Sequence, residues 1–359
     1  MKSIILFVAS LLLCIVLLQA QEVKPPVNIQ SPNAAGLGKY GDVPVSYFTG
    51  TPNVTVPLHS MNFNGIELNI SLNYDATGIR IDQHPGWVGQ NWSLSAGGVI
   101  TRTVIGLADE FTYNNTNIST LYPNIGYFYH FDELNDQNTL SVNQLKLIAD
   151  NNTVFKNFDF QPDIFSFNFM GITGKFFLDN DGKWKVDSDN NIMVVFDNYL
   201  VPTIFENLAG TINSKNAQAI GGFKLIDGNG TTYVFGYDPN AIEYSIGFFD
   251  QIGTDQWKAN SWYLTKVIDK NGNEVYRFEY ERSNFIADFY RNDNQRTWNV
   301  NGGHTPLLYN GISCSNNSFK SEGFYINGNL ISPVYLKNIY TPINNFLVPT
   351  IEFSISNST

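Results

Sequence analysis

The chain has 359 residues, 43% of them hydrophobic and 14% aromatic, and carries 21 Lys and Arg against 32 Asp and Glu, for a net charge of −11 at pH 7. That length suits about two domains with a substantial apolar core, and an acidic balance without any basic run argues against nucleic acid as a partner, because phosphates call for clustered Lys and Arg. Its two cysteines, Cys14 and Cys314, cannot pair once a leader carrying Cys14 is removed, so the core is expected to stand without disulfides.

The first predicted element is that leader. Met1-Lys2, an apolar run over residues 4–18 and the small residue closing Leu18-Gln19-Ala20 follow the order of a secretory signal peptide over residues 1–20. No later apolar run has spanning length, so the exported chain is expected to have no transmembrane span. Its expected location is extracellular or on the outer cell surface, with the periplasm as the alternative.

Downstream the apolar period is two. Residues 65–74 (GIELNISLNY) alternate apolar and polar, which predicts a half-buried strand. Trp87-Val88-Gly89-Gln90-Asn91-Trp92-Ser93-Leu94 alternates large aromatics with small or polar groups, and Gly97-Gly98 predicts a bend or bulge. Asp82, His84 and Asp109 are the nearest approach to a polar constellation in this stretch, although His84 before Pro85-Gly86 reads as an exposed turn. Residues 112–157 are polar and Asn-rich, with a short helix predicted near 141–150, where Val142, Leu145, Ile148 and Ala149 share a face. Residues 163–169 and 274–280 are again alternating strands, and 209–219 is a polar loop.

Three turns share one design, an apolar strand end, then Asp, then a short Asn/Asp-Gly element: Asp179 to Gly182, Asp227 to Gly230 and Asp269 to Gly272. Aspartate accepts backbone N–H groups at the turn entrance and glycine takes positive φ, so each predicts a β-hairpin. Asp179 to Gly182 also looks like a fragment of a calcium loop, but it lacks the spaced ligands and closing Glu of a full one. The predicted fold is therefore all-β, with antiparallel hairpins and β-sandwich or β-shell-like sheets and a short helical or irregular insert. The predicted organisation is a leader (1–20), an N-terminal β domain (21–110), an irregular linker (111–157) and an aromatic-rich β-hairpin domain (158–359).

Reaction chemistry leaves little trace. The four histidines, His59, His84, His130 and His304, form no His-Glu-x-x-His pair, and there is no Gly-x-Ser-x-Gly elbow or phosphate-binding glycine loop. Cys314, between Ser313 and Ser315, reads as a structural thiol. No catalytic, cofactor-binding or metal-ligating residue is assigned, and no cofactor is expected. A glycosidase needs only two well-placed carboxylates, which an acidic aromatic β-protein could carry without a motif. Trp87, Trp92 and Trp262 are the candidate ligand-stacking aromatics, since indole faces suit sugar rings; packing between sheets is the competing reading.

Several ordered blocks resemble one family. SPNAAGLGKYGDVPVS (31–46), TGTPNVTVPL (49–58), LNYDATGIRID (72–82) and WVGQNWSLSAGGVITR (87–102) are similar to the opening of secreted Rhs/YD-repeat proteins of Bacteroidetes-like bacteria. PDIFSFNF (162–169), Gly174-Lys175-Phe176 and WYLTKV (262–267) continue the resemblance, which covers most of the chain after the leader. It implies an N-terminal region ahead of a YD-repeat array that winds into a hollow β-shell able to enclose a toxin. Here the chain stops at Thr359 without such an array, which departs from the family and suggests a fragment or a free-standing N-terminal unit. The expected function is a non-enzymatic, secreted or surface-associated β-scaffold whose partner is a downstream YD-repeat shell or another surface protein. The alternatives are a glycan-binding or adhesive β-sandwich module and a cryptic glycan-active enzyme.

Overall fold

The computed structural model describes residues 50–79, 85–112, 126–132, 159–202, 218–247, 257–299, 308–309, 312–313, 318–343 and 346–354, and at 202, 290–327, 343 and 346 it describes the backbone alone. The leader, the helix expected near 141–150, most of the 209–219 loop, Asp82, His84, His304 and Cys314 lie outside these residues. The chain divides into two compact units, Met1–Asn53 and Val54–Thr359, and the second carries everything below. Among the described residues, no helix is long and apolar enough to cross a membrane.

The fold is all-β and antiparallel. Its strands are β1 (Val54–Phe63), β2 (Ile66–Tyr74), β3 (Trp92–Ser95), β4 (Gly98–Thr103), β5 (Ile164–Phe169), β6 (Ile172–Leu178), β7 (Trp184–Asp187), β8 (Ile192–Val195), β9 (Leu200–Pro202), β10 (Gln218–Ile220), β11 (Gly222–Asp227), β12 (Thr232–Gly236), β13 (Ile242–Gly247), β14 (Lys258–Ile268), β15 (Glu274–Arg282), β16 (Ile286–Asn299), β17 (Leu308–Tyr309), β18 (Ile312–Ser313), β19 (Ser318–Ser332), β20 (Val334–Ile343) and β21 (Phe346–Glu352). Of the insert expected over 111–157, residues 111–112 and 126–132 are described, and they include a 3-10 turn at Tyr127–Tyr129.

Fourteen strands form one hydrogen-bonded network, and β1, β2 and β3 form a separate three-stranded sheet. β14 is the hub. Its first half pairs with β13 and β4, its second half with β12 and β15. From the first half the network runs through β4 to β5, β6 and β7, and from the second through β15 to β20 and β21. Because β4 lies between β14 and β5, the network draws strands from both sides of the 111–157 insert.

Period-two patterning explains which faces meet. On β5, Phe165, Phe167 and Phe169 are buried while Ser166 and Asn168 are exposed, because alternate side chains of a strand point to opposite faces. Phe223, Tyr233 and Phe235 of β11 and β12 meet them, with Phe165 to Phe223 ring centres 5.1 Å apart and Phe169 to Tyr233 4.6 Å apart. Leu68 and Ile70 of β2 join the same core, and the Tyr276 hydroxyl donates to the carbonyls of Met61 and Ile66, which fastens the three-stranded sheet to β15.

The three Asp-Gly turns are three hairpins with one geometry. In each, the glycine N–H donates to the aspartate carbonyl, and the aspartate N–H donates to the carbonyl of the residue after the glycine. Gly182, Gly230 and Gly272 stand at φ of 70°, 85° and 85°, the left-handed position that closes this kind of three-residue loop. The aspartate carboxylates secure the turns from inside. Oδ1 of Asp227 accepts from the N–H groups of Asn229 and Thr231, and Oδ1 of Asp269 accepts from Asn271 and Asn273. At Asp179, Oδ1 accepts from Asn180 N–H and the other oxygen faces Lys185 at 3.3 Å, so the calcium-loop fragment is occupied by its own turn.

The bend expected at Gly97-Gly98 is the corner where the chain leaves the three-stranded sheet and enters the fourteen-stranded network. Gly98 lies opposite Phe169, and a β-carbon there would collide with the Phe169 backbone.

Candidate functional site

Two groups of polar side chains stand out against this aromatic core. The first is a buried ionic knot at the end of β4. Ile100 points into the core, so two residues on Arg102 does too. The Arg102 guanidinium binds Glu110 through both ends of its carboxylate, at 2.9 and 2.5 Å, and Asp163 through Nε at 2.7 Å. Bidentate geometry of this kind is the strong form of the pair. Glu110 also accepts from the Ile220 N–H at 3.2 Å, and Asp163 from the N–H groups of Ile105 and Asp109. Asp109 returns the contact by accepting from Asp163 N–H, while its second oxygen is buried without a partner. Burial, with the Asp163 carboxylate close by, pushes the Asp109 carboxyl well above the usual range. The knot thus joins β4, the loop after it, the entry to β5 and β10.

The second group lines an open cleft of about 790 Å³, within the size range of small-ligand sites. Its walls carry Trp87 from the loop before β3, Glu243 from β13, Tyr263 from β14, Tyr280 from β15, Asp288 from β16 and Tyr335 from β20. Trp87 leans on Tyr335 with ring centres 5.6 Å apart, and Tyr263 on Tyr280 at 5.3 Å. The Tyr280 hydroxyl donates to the Leu264 carbonyl, which fixes that ring. By contrast, neither the Glu243 carboxyl nor the Tyr263 hydroxyl is hydrogen-bonded to another described residue. Burial pushes the Glu243 carboxyl up to about 7, against a smaller opposing pull from the Arg282 guanidinium. Arg282 is otherwise engaged by the carbonyls of Pro239, Ile242 and Ser332.

The raised Glu243 value fixes a sign. The folded chain holds the acid neutral more readily than the unfolded chain does, so the cost of ionising it is absent below about pH 4.5, accumulates as pH rises, and is complete above about pH 7. Glu243→Gln is therefore expected to stabilise the chain by about 2–3 kcal/mol at pH 8 and by almost nothing at pH 4.5. Urea unfolding of both chains at the two pH values checks this, and a gain independent of pH would remove Glu243 as its source.

The aromatics singled out from the sequence separate clearly. Trp87 lines the cleft. Trp92, on β3, is half-buried against Tyr74 at 5.1 Å, and its side chain is not part of the cleft lining. Trp262 is a correction. It is 0% exposed, lies against Phe165 and Phe223, and donates Nε1–H to the Ile220 carbonyl at 2.7 Å, which leaves no face for a ligand. Alternation supplies the reason, because Trp262 points inward while its neighbour Tyr263 points to the cleft. Asp109, read as part of a loop constellation, is instead in the ionic knot and 1% exposed. Sequence reading missed Glu243, Tyr263 and Tyr335, which sit on three different strands. Comparison of the chain with known protein families, characterised proteins and solved structures found no match.

Proposed function

We propose that this chain is an exported, non-enzymatic β-scaffold that works at the cell surface as part of an Rhs/YD-repeat-type assembly. The observation that supports it most is where the buried charge goes. Arg102, Glu110 and Asp163 are all but closed to solvent and are spent on joining strands and loops, as the internal frame of a rigid shell requires. Three hairpins built on the same Asp-Gly turn add to this reading, since repeated hairpins are how a β-shell grows.

The reading is tested by expressing the full chain with a C-terminal tag in a bacterial host of the matching envelope type. The expected result is removal of the leader, an N-terminus at Gln21 by protein sequencing, and a tag outside the cytoplasm that added protease can reach. In-cell crosslinking is expected to join it to a chain carrying YD repeats. Retention in the cytoplasm with the leader intact, or crosslinks confined to chains without such repeats, would overturn the proposal.

A further inference from the structure

The cleft has chemistry that a scaffold does not require. Along its lining, among the described residues, there are two carboxyl groups, Glu243 and Asp288, and no lysine or arginine. Trp87, Tyr263, Tyr280 and Tyr335 give it aromatic surface, beside neutral polar residues such as Asn73, Ser93 and Asn168. Tyr263 is partly buried, and its hydroxyl, like the Glu243 carboxyl, has no hydrogen bond to another described residue. Glu243 is partly buried in a cleft whose lining holds no cation, which makes its charged form costly, and a positive group arriving there would offset that cost. We propose that the cleft is a binding site for an organic ammonium ion, held by Glu243 against the faces of Trp87 and Tyr335.

Three ligand classes can be weighed by what the walls offer. A hard metal ion takes six or more oxygen ligands in a close shell, whereas no group of three acidic, histidine or cysteine side chains gathers among the described residues. A neutral sugar would find rings to stack on but would bring no counter-charge to Glu243. A weakly hydrated alkylammonium uses both features, because aromatic faces attract cations within about 6 Å of the ring and the carboxylate supplies the counter-charge. Arg282 is the nearby cation that could compete for Glu243. Its guanidinium is turned to the carbonyls of Pro239, Ile242 and Ser332 and does not line the cleft.

The test uses the full exported chain and two probes of nearly equal shape, choline and its uncharged carbon analogue 3,3-dimethylbutan-1-ol, in titration calorimetry at pH 8. Choline is expected to bind at least about tenfold more tightly than the analogue, and Glu243→Gln and Trp87→Ala are each expected to weaken choline binding by about tenfold or more. Trp92→Ala, which alters a side chain that is not part of the lining, should leave choline binding unchanged. Circular dichroism establishes that each variant is folded, and if Trp87→Ala is not, Tyr335→Leu takes its place. Equal affinity for the two probes would overturn the proposal, as would no choline binding at millimolar concentration or choline binding indifferent to Glu243→Gln. Tighter binding of a neutral disaccharide than of choline would overturn it in favour of a glycan site.

Discussion

Replacing Arg102 with methionine is expected to lower the stability of the chain by about 3–5 kcal/mol at pH 7.5, the usual cost of removing one partner from a buried ion pair. Among the described residues, the guanidinium is the single cation facing Asp163 and Asp109, and it also faces Glu110; methionine fills similar space without charge. Glu110 and Asp163 would then be buried uncompensated beside an Asp109 carboxyl that is already hard to ionise. The sign of the pH dependence follows. Asp109 and Asp163, already pushed up by burial, lose the opposing pull of the guanidinium in the variant and are more easily held neutral than in the unfolded chain, so the deficit should shrink toward pH 5 and grow as pH rises. Arg102→Lys should recover only part of the loss, because an ammonium cannot span both Glu110 oxygens and reach Asp163 Oδ2 as the guanidinium fork does. Urea midpoints of the three chains at pH 5 and 7.5 check this. An Arg102→Met midpoint equal to that of the parent chain would mean that the knot contributes nothing to holding β4, β5 and β10 together.

The second large effect is expected at Trp262. Its replacement by alanine should cost about 3–5 kcal/mol, the range for deleting a large buried aromatic, because the ring packs against both Phe165 and Phe223 at the hub strand β14. Part of that loss is polar, since the Ile220 carbonyl loses its donor. Trp262→Phe, which keeps most of the apolar contact and removes the N–H, should lose about 1–3 kcal/mol, near the cost of one unsatisfied buried group plus a small cavity. Trp92→Ala, on a half-buried ring, should lose less than Trp262→Ala. Denaturant unfolding of the variants orders them. A Trp262→Ala loss no greater than that of Trp92→Ala would contradict the central place of Trp262 in the core.

The difference between these two tryptophans is where sequence reading reached its limit. Alternation in residues 163–169 placed Phe165, Phe167 and Phe169 on one face, and they are buried together. Alternation does not say which face is inside when both carry aromatics, and Trp262 and Tyr263 are adjacent aromatics on opposite faces. The inward face is the one that Phe165 and Phe223 cover, and β14 is held in place by β4 and β13, whose pairings span 164 residues at Tyr263↔Val99 and 20 at Ile242↔Trp262. The ionic knot left a faint trace, because Arg102 shares its strand face with Ile100 and Asp163 shares one with Phe165. A charged residue is ordinarily taken to face water, so the trace is legible only once its partners are known.

By itself the sequence determined the local matter of this protein: the all-β antiparallel fold, the three Asp-Gly hairpins and the corner at Gly97-Gly98. Each of these depends on a few neighbouring residues and on backbone geometry that glycine and aspartate carry with them. Tertiary structure alone decided which aromatics are core and which line a cleft, and which charges are neutralised. Glu243, Tyr263, Asp288 and Tyr335 are brought to one opening by β13, β14, β16 and β20. Strand pairing makes neighbours of residues far apart in the chain, and a buried charge acquires its meaning from the neighbours it is given.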